Sequence, residues 1–349
     1  MTRRIPRRHR VEHRIERRRE DPLPGASSSD SASAARYDRA ARVSAATVIR
    51  QYSTSFGMAC TLLGREVRTP VRCIYALVRV ADEIVDGASA GAGVDPGAAR
   101  QLLDDLERET LTAVASGFST NLVVHAFALT CRQAGIGPDL IRPFFASMRA
   151  DLGDGEHCAD SLKTYVYGSA EVVGLMCLRV FLAGRPVTPE QEQDFERGAR
   201  RLGAAFQKVN FLRDLSEDYT RLGRAYLPGT VRGQLTEHAK AGFLDEIDDD
   251  LAAARTVIDD LPSSARTAVL VAHDLFAELS HRLRAAEASQ LLVTRVRVPD
   301  GRKVAIVLRA TTAGTWRTLT TTGGSRLRDP RNTRELPRHR RTRGPGAGA

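Results

Sequence analysis

The chain has 349 residues, 42% of them hydrophobic, which is enough for one large domain or two ordinary ones with a sizeable core. The net charge of +10 comes from the ends: residues 1–20 and residues 323–349 each carry +6, so residues 21–322 carry −2. The basic ends contain no aromatic residue that could stack on a base, so the charge does not indicate nucleic-acid binding.

The five cysteines are scattered without a C-x-x-C pair, which favours buried thiols in a reducing compartment over disulfides or a metal site. No apolar run reaches the roughly 18 residues of a membrane span, and the N-terminus lacks the apolar segment of a signal peptide. These features predict a cytoplasmic protein, whose basic tails would allow peripheral attachment to an anionic membrane.

Helical periodicity dominates the chain between its ends. Residues 1–34 are rich in Arg and then in Ser and Ala, and residues 312–349 are aperiodic, so we expect both to be disordered tails. With no alternating strand pattern, residues 35–311 are predicted to form a single all-α domain. Its helices are expected near 38–51, 54–64, 70–86, 97–116, 119–135, 138–151, 161–183, 189–221, 236–260, 263–285 and 299–311.

The segment YALVRVADEIVDG, residues 75–87, places three carboxylates in an otherwise apolar helix. We expect Thr69 to cap this helix and Pro70 to be its first residue. Asp82 and Asp86 lie one turn apart on one face, where like charges disfavour a bare helix by roughly 0.2–0.5 kcal/mol. A solvated acidic face is the common explanation of such a pair, but the apolar neighbours indicate that this pair binds a cation.

A second polar face follows in the helix that Thr188 and Gln191 are expected to open with a capping box. Gln207, Asn210, Asp214 and Asp218 share one side of it at spacings of three and four residues. Carboxylate and amide oxygens are ligands that Mg²⁺ and Mn²⁺ accept, and substrate phosphate commonly completes the coordination. Two such faces opposite each other would form a site for a diphosphate bridged by metal ions.

Basic side chains near both faces are suited to holding diphosphate oxygens directly. They are Arg79, Arg213, Arg221 and Arg224. The chain has no Walker A motif and no HExxH motif, so neither nucleotide hydrolysis of the P-loop type nor a zinc site of that type is indicated.

Four segments, in this order, resemble the phytoene/squalene synthase family of head-to-head prenyl synthases. They are YSTSFGMACTLL (52–63), IYALVRVADEIVD (74–86), YVYGSAEVVGLM (165–176) and FQKVNFLRDLSEDYTRLGRAYLP (206–228). The resemblance covers roughly 40–310 and is closest to bacterial phytoene synthases. It implies an all-helical isoprenoid-synthase-type domain around a central cavity, in which two aspartate-rich helices bind Mg²⁺ and two prenyl diphosphates.

The resemblance also implies roles for individual residues. Asp82, Asp86, Asn210, Asp214 and Asp218 match the metal ligands, and these aspartates together with the cavity residue Tyr165 are the expected catalytic groups. The positions that match contacts to the substrate or its diphosphate are Ser53, Ser55, Tyr75, Arg79, Gln207, Arg213, Arg224, Arg295 and Lys303. Phe276 stands where relatives usually have a tyrosine, so one hydroxyl contact is missing.

The reaction implied is the condensation of two geranylgeranyl diphosphates to phytoene, through a cyclopropyl diphosphate, with Mg²⁺ or Mn²⁺ and without NADPH. An allylic cation formed by loss of diphosphate needs a dry, apolar cavity, and the small and apolar residues of 168–182 are suited to line it.

Other readings of the motifs stay open. The motifs do not separate C15 from C20 substrates, so a squalene or dehydrosqualene synthase acting on farnesyl diphosphate is one alternative. A non-catalytic relative acting as a binding or assembly protein is another, although such relatives typically lose acidic ligands that are present here. A head-to-tail prenyl synthase or a terpene cyclase fits less well, because its first motif is usually DDxxD. The sequence does not indicate the oligomeric state.

Overall fold

The computed structural model describes residues 28–52, 55–153, 159–217 and 235–323, and all regular structure in these ranges is helical. The predicted all-α fold class is therefore confirmed. The helices are α1 Ser28–Tyr52, α2 Ser55–Thr61, α3 Arg65–Asp86, α4 Ala88–Gly91, α5 Pro96–Ser116, α6 Leu122–Ala134, α7 Pro138–Ala150, α8 Ala159–Val166, a π-helical turn Tyr167–Glu171, α9 Val172–Leu182, α10 Pro189–Glu217, α11 Glu237–Ile258, α12 Ser263–Ala285, α13 Ala288–Leu291 and α14 Asp300–Gly323.

The first and last helices are longer than the sequence patterns predicted. Helix α1 begins at Ser28, so residues 28–34, which we expected to be disordered, are helical. Helix α14 continues to Gly323, past the expected end at residue 311. Once part of a helix is anchored by packing, each added residue gains a hydrogen bond at little cost.

The start of α3 differs from the prediction. The helix begins at Arg65 with Gly64 as its N-cap, and Pro70 lies inside it, so Thr69 is not the cap. The Gly64 amide donates to the Ser264 carbonyl at 2.7 Å, which fixes the turn before the helix. Val67 is only 4% exposed, and the burial of this first-turn residue outweighs the preference against helix before a proline.

Helix α3 lies at the centre of one of two large cores. That core combines buried side chains of α3, α5, α6, α7 and α9, whereas a second one combines α8, α10, α11, α12 and α13. The two cores meet where α7 and the π-helical turn pack together and where α10 packs against both the π-helical turn and α9. A cavity between α3 and α10 therefore lies where the two cores meet.

The stretch from α8 to α9 packs with its backbone against neighbouring helices. A Cβ atom at Gly168 would collide with Ser147 Oγ and the Pro143 carbonyl oxygen of α7, and one at Gly174 would lie 2.6 Å from the Ala199 carbonyl oxygen of α10. Glycine is required at both places because any side chain would separate the helices.

Among the described residues, the stretch Asp160–Leu182 is long and apolar enough to cross a membrane by length and composition, although the sequence predicted no apolar run of that length. Half of its most apolar window is buried inside the protein. Together with the glycine contacts to α7 and α10, this burial places part of the stretch inside the helical core.

Candidate functional site

A cavity of about 270 Å³ opens between α3, α7, α8 with its π-helical turn, and α10. Its lining residues are Tyr75, Val78, Arg79, Asp82, Asp86, Phe144, Met148, Asp151, Tyr165, Ser169, Gln207, Asn210, Phe211 and Asp214. The structure thus brings residues of both polar faces to one cavity, together with Tyr165. The rest of the wall is mostly apolar and aromatic, with two further polar residues, Asp151 and Ser169.

On the α3 side, the carboxylates are paired with a guanidinium from the same helix. Arg79 donates to Asp82 and to Glu83, three and four residues further on, and lies over the Tyr52 ring at 4.6 Å from its centroid. Burial disfavours the charged guanidinium, but the two carboxylates outweigh that effect and raise the pKa of Arg79. Arg79 therefore neutralises Asp82 and Glu83 within this helix.

On the α10 side, the carboxylate is paired with two guanidinium groups. Arg213 Nε and Nη2 donate to the two Asp214 oxygens at 2.9 and 2.5 Å, and Arg295 Nε lies 2.8 Å from Asp214 Oδ1. Arg295 is in the connection between α13 and α14, so it reaches Asp214 only through the tertiary fold.

The predicted capping box at the start of α10 is confirmed. The Thr188 amide donates to Gln191 Oε1 at 3.0 Å, and the Gln191 amide donates to Thr188 Oγ1 at 3.2 Å.

Two buried side-chain oxygens on the cavity wall have no hydrogen-bond partner, namely Asn210 Oδ1 and Ser169 Oγ. An unpartnered buried oxygen costs about 1–3 kcal/mol, so such atoms are expected where a ligand binds. Asn210 Oδ1 and the carboxylates of Asp82, Asp86 and Asp214 line the same cavity and are oxygen donors of the type that Mg²⁺ accepts. Within the described ranges no three Asp, Glu, His or Cys side chains are grouped closely enough to hold a metal, and Asp218 lies outside them.

Ser169 was not predicted as a site residue, and the π-helical turn explains its position. A helical serine commonly donates to the carbonyl four residues earlier, which here is the carbonyl of Tyr165. That oxygen instead accepts from Ser147 Oγ of α7 at 3.1 Å. The Val172 amide bonds to the Tyr167 carbonyl, the i→i−5 pattern of a π turn, and π turns occur frequently at functional sites.

Asp151 is a further residue that sequence reasoning missed. It follows α7, is only 6% exposed, and accepts a hydrogen bond from the Tyr165 hydroxyl at 2.7 Å. The Tyr165 ring also contacts the Phe211 ring, with centroids 5.9 Å apart. Nothing in the local pattern distinguishes Asp151 from an aspartate after any helix, because its partner is fourteen residues away on another helix.

Some predicted residues lie elsewhere. Lys303 Nζ pairs with Asp300 at 2.9 Å near the start of α14 and does not line the cavity. Phe276 stacks on the Phe206 ring, with the ring centroids 3.8 Å apart. The residue that lacks the hydroxyl expected at this position therefore makes an aromatic contact instead. The predictions for Ser53, Asp218, Arg221 and Arg224, and for the side chain of Ser55, concern residues outside the described part of the chain.

The cysteines that the structure describes carry free thiols, as the sequence indicated. Burial raises the pKa of both Cys60 and Cys177 to about 12, so neither is a reactive thiolate at neutral pH. Neither residue lines the cavity between α3 and α10.

The chain matches the squalene/phytoene synthase family over residues 49–302, and it belongs to that family. Among curated relatives, it is 32% identical to phytoene synthase 1 of Solanum lycopersicum over 63% of this chain and 48% of that protein. It is 28% identical to the 15-cis-phytoene synthase of Paracoccus sp. over 68% of this chain and 80% of that protein. The chain therefore spans about half the length of the plant relatives that it matches.

Solved structures agree with this family at the level of the fold. A dehydrosqualene synthase in complex with a ligand superposes with a TM-score of 0.67 at 21% identity, covering 80% of this chain and 99% of that one. A squalene synthase from Alicyclobacillus acidocaldarius gives a TM-score of 0.61 at 18% identity, covering 71% of this chain and 94% of that one. The tertiary structure is that of the all-helical synthases of this family.

Proposed function

We propose that this chain is a Mg²⁺-dependent prenyltransferase that joins two geranylgeranyl diphosphates head to head to give phytoene in carotenoid biosynthesis. The observation that carries the proposal is the cavity itself, with Asp82 and Asp86 of α3 and Asn210 and Asp214 of α10 in its wall. The choice of C20 substrate and of phytoene is supported by the names of the curated relatives.

When substrate binds, the carboxylates of α3 and α10 would exchange their arginine partners for a metal ion. Arg79, Arg213 and Arg295 neutralise Asp82 and Asp214 in the structure. Guanidinium groups bind diphosphate oxygens as well as they bind carboxylates, which frees the carboxylate oxygens for a metal ion. Mg²⁺, held by the two aspartates of α3, by Asn210 and Asp214 and by the sequence-predicted Asp218, would supply neutralisation of the leaving diphosphate.

The remaining wall would control the allylic cation. Phe144, Met148 and Phe211 are buried apolar side chains that exclude water, and the aromatic faces stabilise positive charge. Asp151 orients the Tyr165 hydroxyl at the cavity wall. Phytoene formation ends with loss of a proton, for which a weak base such as released diphosphate or the tyrosine oxygen is sufficient, so no reductant is required.

The test supplies purified protein with farnesyl or geranylgeranyl diphosphate and Mg²⁺, with and without NADPH, and identifies the hydrocarbon by mass. We expect a C40 hydrocarbon with a conjugated triene chromophore from the C20 substrate, in a yield unaffected by NADPH. Exclusive use of the C15 substrate, or squalene formed only with NADPH, would instead assign the chain to the squalene or dehydrosqualene branch. No turnover with either substrate would favour a binding role.

A further inference from the structure

A second cavity, of about 950 Å³, lies between α8 with its π-helical turn, α10 and α11, and is called the α10–α11 groove below. Among the described residues, none lines both this groove and the cavity between α3 and α10. The two are neighbours, because Gln207 and Ser169 line the first while Lys208 and Glu171 line the second. The groove is therefore a separate space beside the proposed catalytic site.

The floor of the groove is apolar and elongated. Leu162, Val166, Ala204 and Phe243 line it, are each at most 9% exposed, and belong to the core that combines α8, α10 and α11. The lining positions of α10 extend from residue 193 to residue 208, about 22 Å along the helix axis. The volume is within the range of small-molecule sites, and the length of the floor suits a chain-shaped apolar group.

Gly242 keeps the α11 side of the groove open. It is the sixth residue of α11, inside the helix, where glycine is less favourable than alanine. A Cβ atom here would meet no other atom within 4 Å, so packing does not require glycine as it does at Gly168 and Gly174. A glycine that weakens its helix without a packing reason is expected where a ligand approaches the backbone closely.

Three arginines of α10 form a basic rim. Arg197, Arg200 and Arg201 line the groove, and 66%, 52% and 55% of their side chains are exposed. Each pairs with a carboxylate, namely those of Asp194, Glu171 and Asp250 respectively. A guanidinium carries five N–H donors and binds phosphate in the same way as carboxylate, so each arginine keeps donors for an anion.

The carboxylates that line the groove are already neutralised. All four are in ion pairs: Glu171 with Arg200, Glu196 with Arg179, and both Glu246 and Asp250 with Lys208. A cationic ligand would have to break one of these pairs, whereas an anionic one would add to guanidinium groups that are half exposed. The groove thus combines an apolar floor with a rim that favours negative charge.

We infer that the α10–α11 groove binds a single-chain anionic amphiphile, a molecule in which one phosphate group is joined to one apolar chain. Arg197, Arg200 and Arg201 bind the phosphate oxygens, and the chain lies along the apolar floor against Gly242. Isoprenoid phosphates and acyl-chain lipids with a phosphate head share this chemistry.

Calorimetry with dodecyl phosphate, below its micelle-forming concentration, tests the full-length protein. EDTA is present, so that no metal ion joins the phosphate to the carboxylates of the other cavity. We expect one molecule to bind, and inorganic phosphate or dodecanol alone to bind at least about 10-fold more weakly, because each lacks one half of the recognised structure. Binding is measured without turnover, so the result is independent of the proposed reaction.

Filling the groove locates the bound molecule. Gly242→Trp should weaken binding of dodecyl phosphate at least about 10-fold, because the indole takes the space of the chain. Gly301→Trp is the matched control, since a Cβ atom at Gly301 also meets nothing within 4 Å and Gly301 lines neither cavity. Equal weakening in both variants, or none in Gly242→Trp, would contradict the inference, as would a lack of binding to the unchanged protein.

A second pair of variants tests the rim and needs no change in packing. Arg197→Gln should weaken binding about 5-fold, because it removes one guanidinium from the phosphate. Arg108→Gln on α5 is the control, since Arg108 is 69% exposed and pairs with Asp105 three residues earlier, as Arg197 does with Asp194. Equal affinities of the two variants would contradict the assigned rim. Circular dichroism checks that each variant is folded.

A comparison of farnesyl phosphate with dodecyl phosphate distinguishes the two sources of such a ligand, because their main chains have the same length. Tighter binding of farnesyl phosphate would identify an isoprenoid, and equal or tighter binding of dodecyl phosphate an acyl-chain lipid. Either result, if Gly242→Trp abolishes it, supports the inference.

Discussion

The α3 and α10 walls of the cavity carry similar acidic faces but hold them by different means. On α3 the neutralising guanidinium belongs to the same helix, since Arg79 binds Asp82 and Glu83. On α10 one guanidinium of Asp214 comes from Arg295, eighty-one residues further along the chain. Local pairing of the first kind is recognisable in the sequence, whereas the second kind depends on the tertiary fold.

The two helices also differ in what supports them from behind. The buried face of α3 is aliphatic, with Val71, Ile74 and Leu77 each at most 2% exposed. Helix α10 rests on α11 partly through Asp250, which is 1% exposed and is bound by Arg201 Nη1 at 2.6 Å and Lys208 Nζ at 3.0 Å. The α3 wall is thus supported mainly by apolar packing, and the α10 wall in part by ion pairs to the buried Asp250.

The largest expected effect is the same for both walls, because the carboxylates of α3 and α10 are proposed to serve one metal site. Asp82→Asn and Asp214→Asn should each lower kcat/KM by about 100-fold or more, since each removes one carboxylate from the proposed metal site. The double variant should lose little more than either single one. Asp105→Asn, at a half-exposed position of α5 outside the cavity, is the control and should keep full activity. Near-normal turnover of Asp214→Asn would contradict the metal assignment.

The second prediction tests the support of α10. Asp250→Ala should lower the free energy of unfolding by about 2–3 kcal/mol, because Lys208 and Arg201 lose their buried partner. The neighbouring exposed Asp249 provides the control, and Asp249→Ala should change stability by no more than about 0.5 kcal/mol. Urea unfolding measures both. Equal stability of the two variants would mean that the network contributes nothing to holding α10 on α11.

The third prediction tests the local pairing on α3. Arg79→Ala should raise the KM for the prenyl diphosphate about 10-fold, because one guanidinium is lost from the diphosphate. The same variant should bind Mn²⁺ alone more tightly, since Asp82 and Glu83 lose their competing cation. Calorimetry with Mn²⁺, in the absence of substrate, measures the second effect. Weaker Mn²⁺ binding together with the higher KM would show that Arg79 orders the site rather than competing for it.

The fourth prediction concerns pH. Burial acts to lower the pKa of Lys208, but the hydrogen bond to Glu246 and the charge of Asp250 outweigh it and raise the pKa above 10.5. A raised folded-state pKa adds stability that is fully present below the unfolded value and is lost as pH rises through the folded value. Stability should therefore fall above pH 10.5, and Lys208→Met should flatten that fall. An unchanged alkaline limb in the variant would contradict the assignment.

The smallest expected effect concerns the unpartnered hydroxyl on the π-helical turn. Without ligand, Ser169→Ala should raise the free energy of unfolding by about 1 kcal/mol, because it removes a buried oxygen that has no partner. Ser147→Ala is the contrasting variant and should be destabilising, since its hydroxyl binds the Tyr165 carbonyl. Thermal unfolding distinguishes the two signs. A destabilised Ser169→Ala would show that the hydroxyl has a partner in solution.

The hydrophobic periodicity was sufficient to predict the all-α class and the central part of most helices, because each helix carries an apolar stripe that must be buried. It did not predict where some helices begin or end. The start of α3 was misplaced because the rule for proline at a helix start is local, whereas the burial of Val67 and the bond of Gly64 to Ser264 are tertiary.

The same division applies to the site. Spacing alone placed Asp82 with Asp86 and Asn210 with Asp214, because residues three or four apart share a helix face. The π-helical turn that presents Ser169, the burial of Asp151 against Tyr165 and the reach of Arg295 to Asp214 were decided only by tertiary structure. Each depends on which helices lie side by side, and that choice is a property of the whole packed core, which no local spacing encodes.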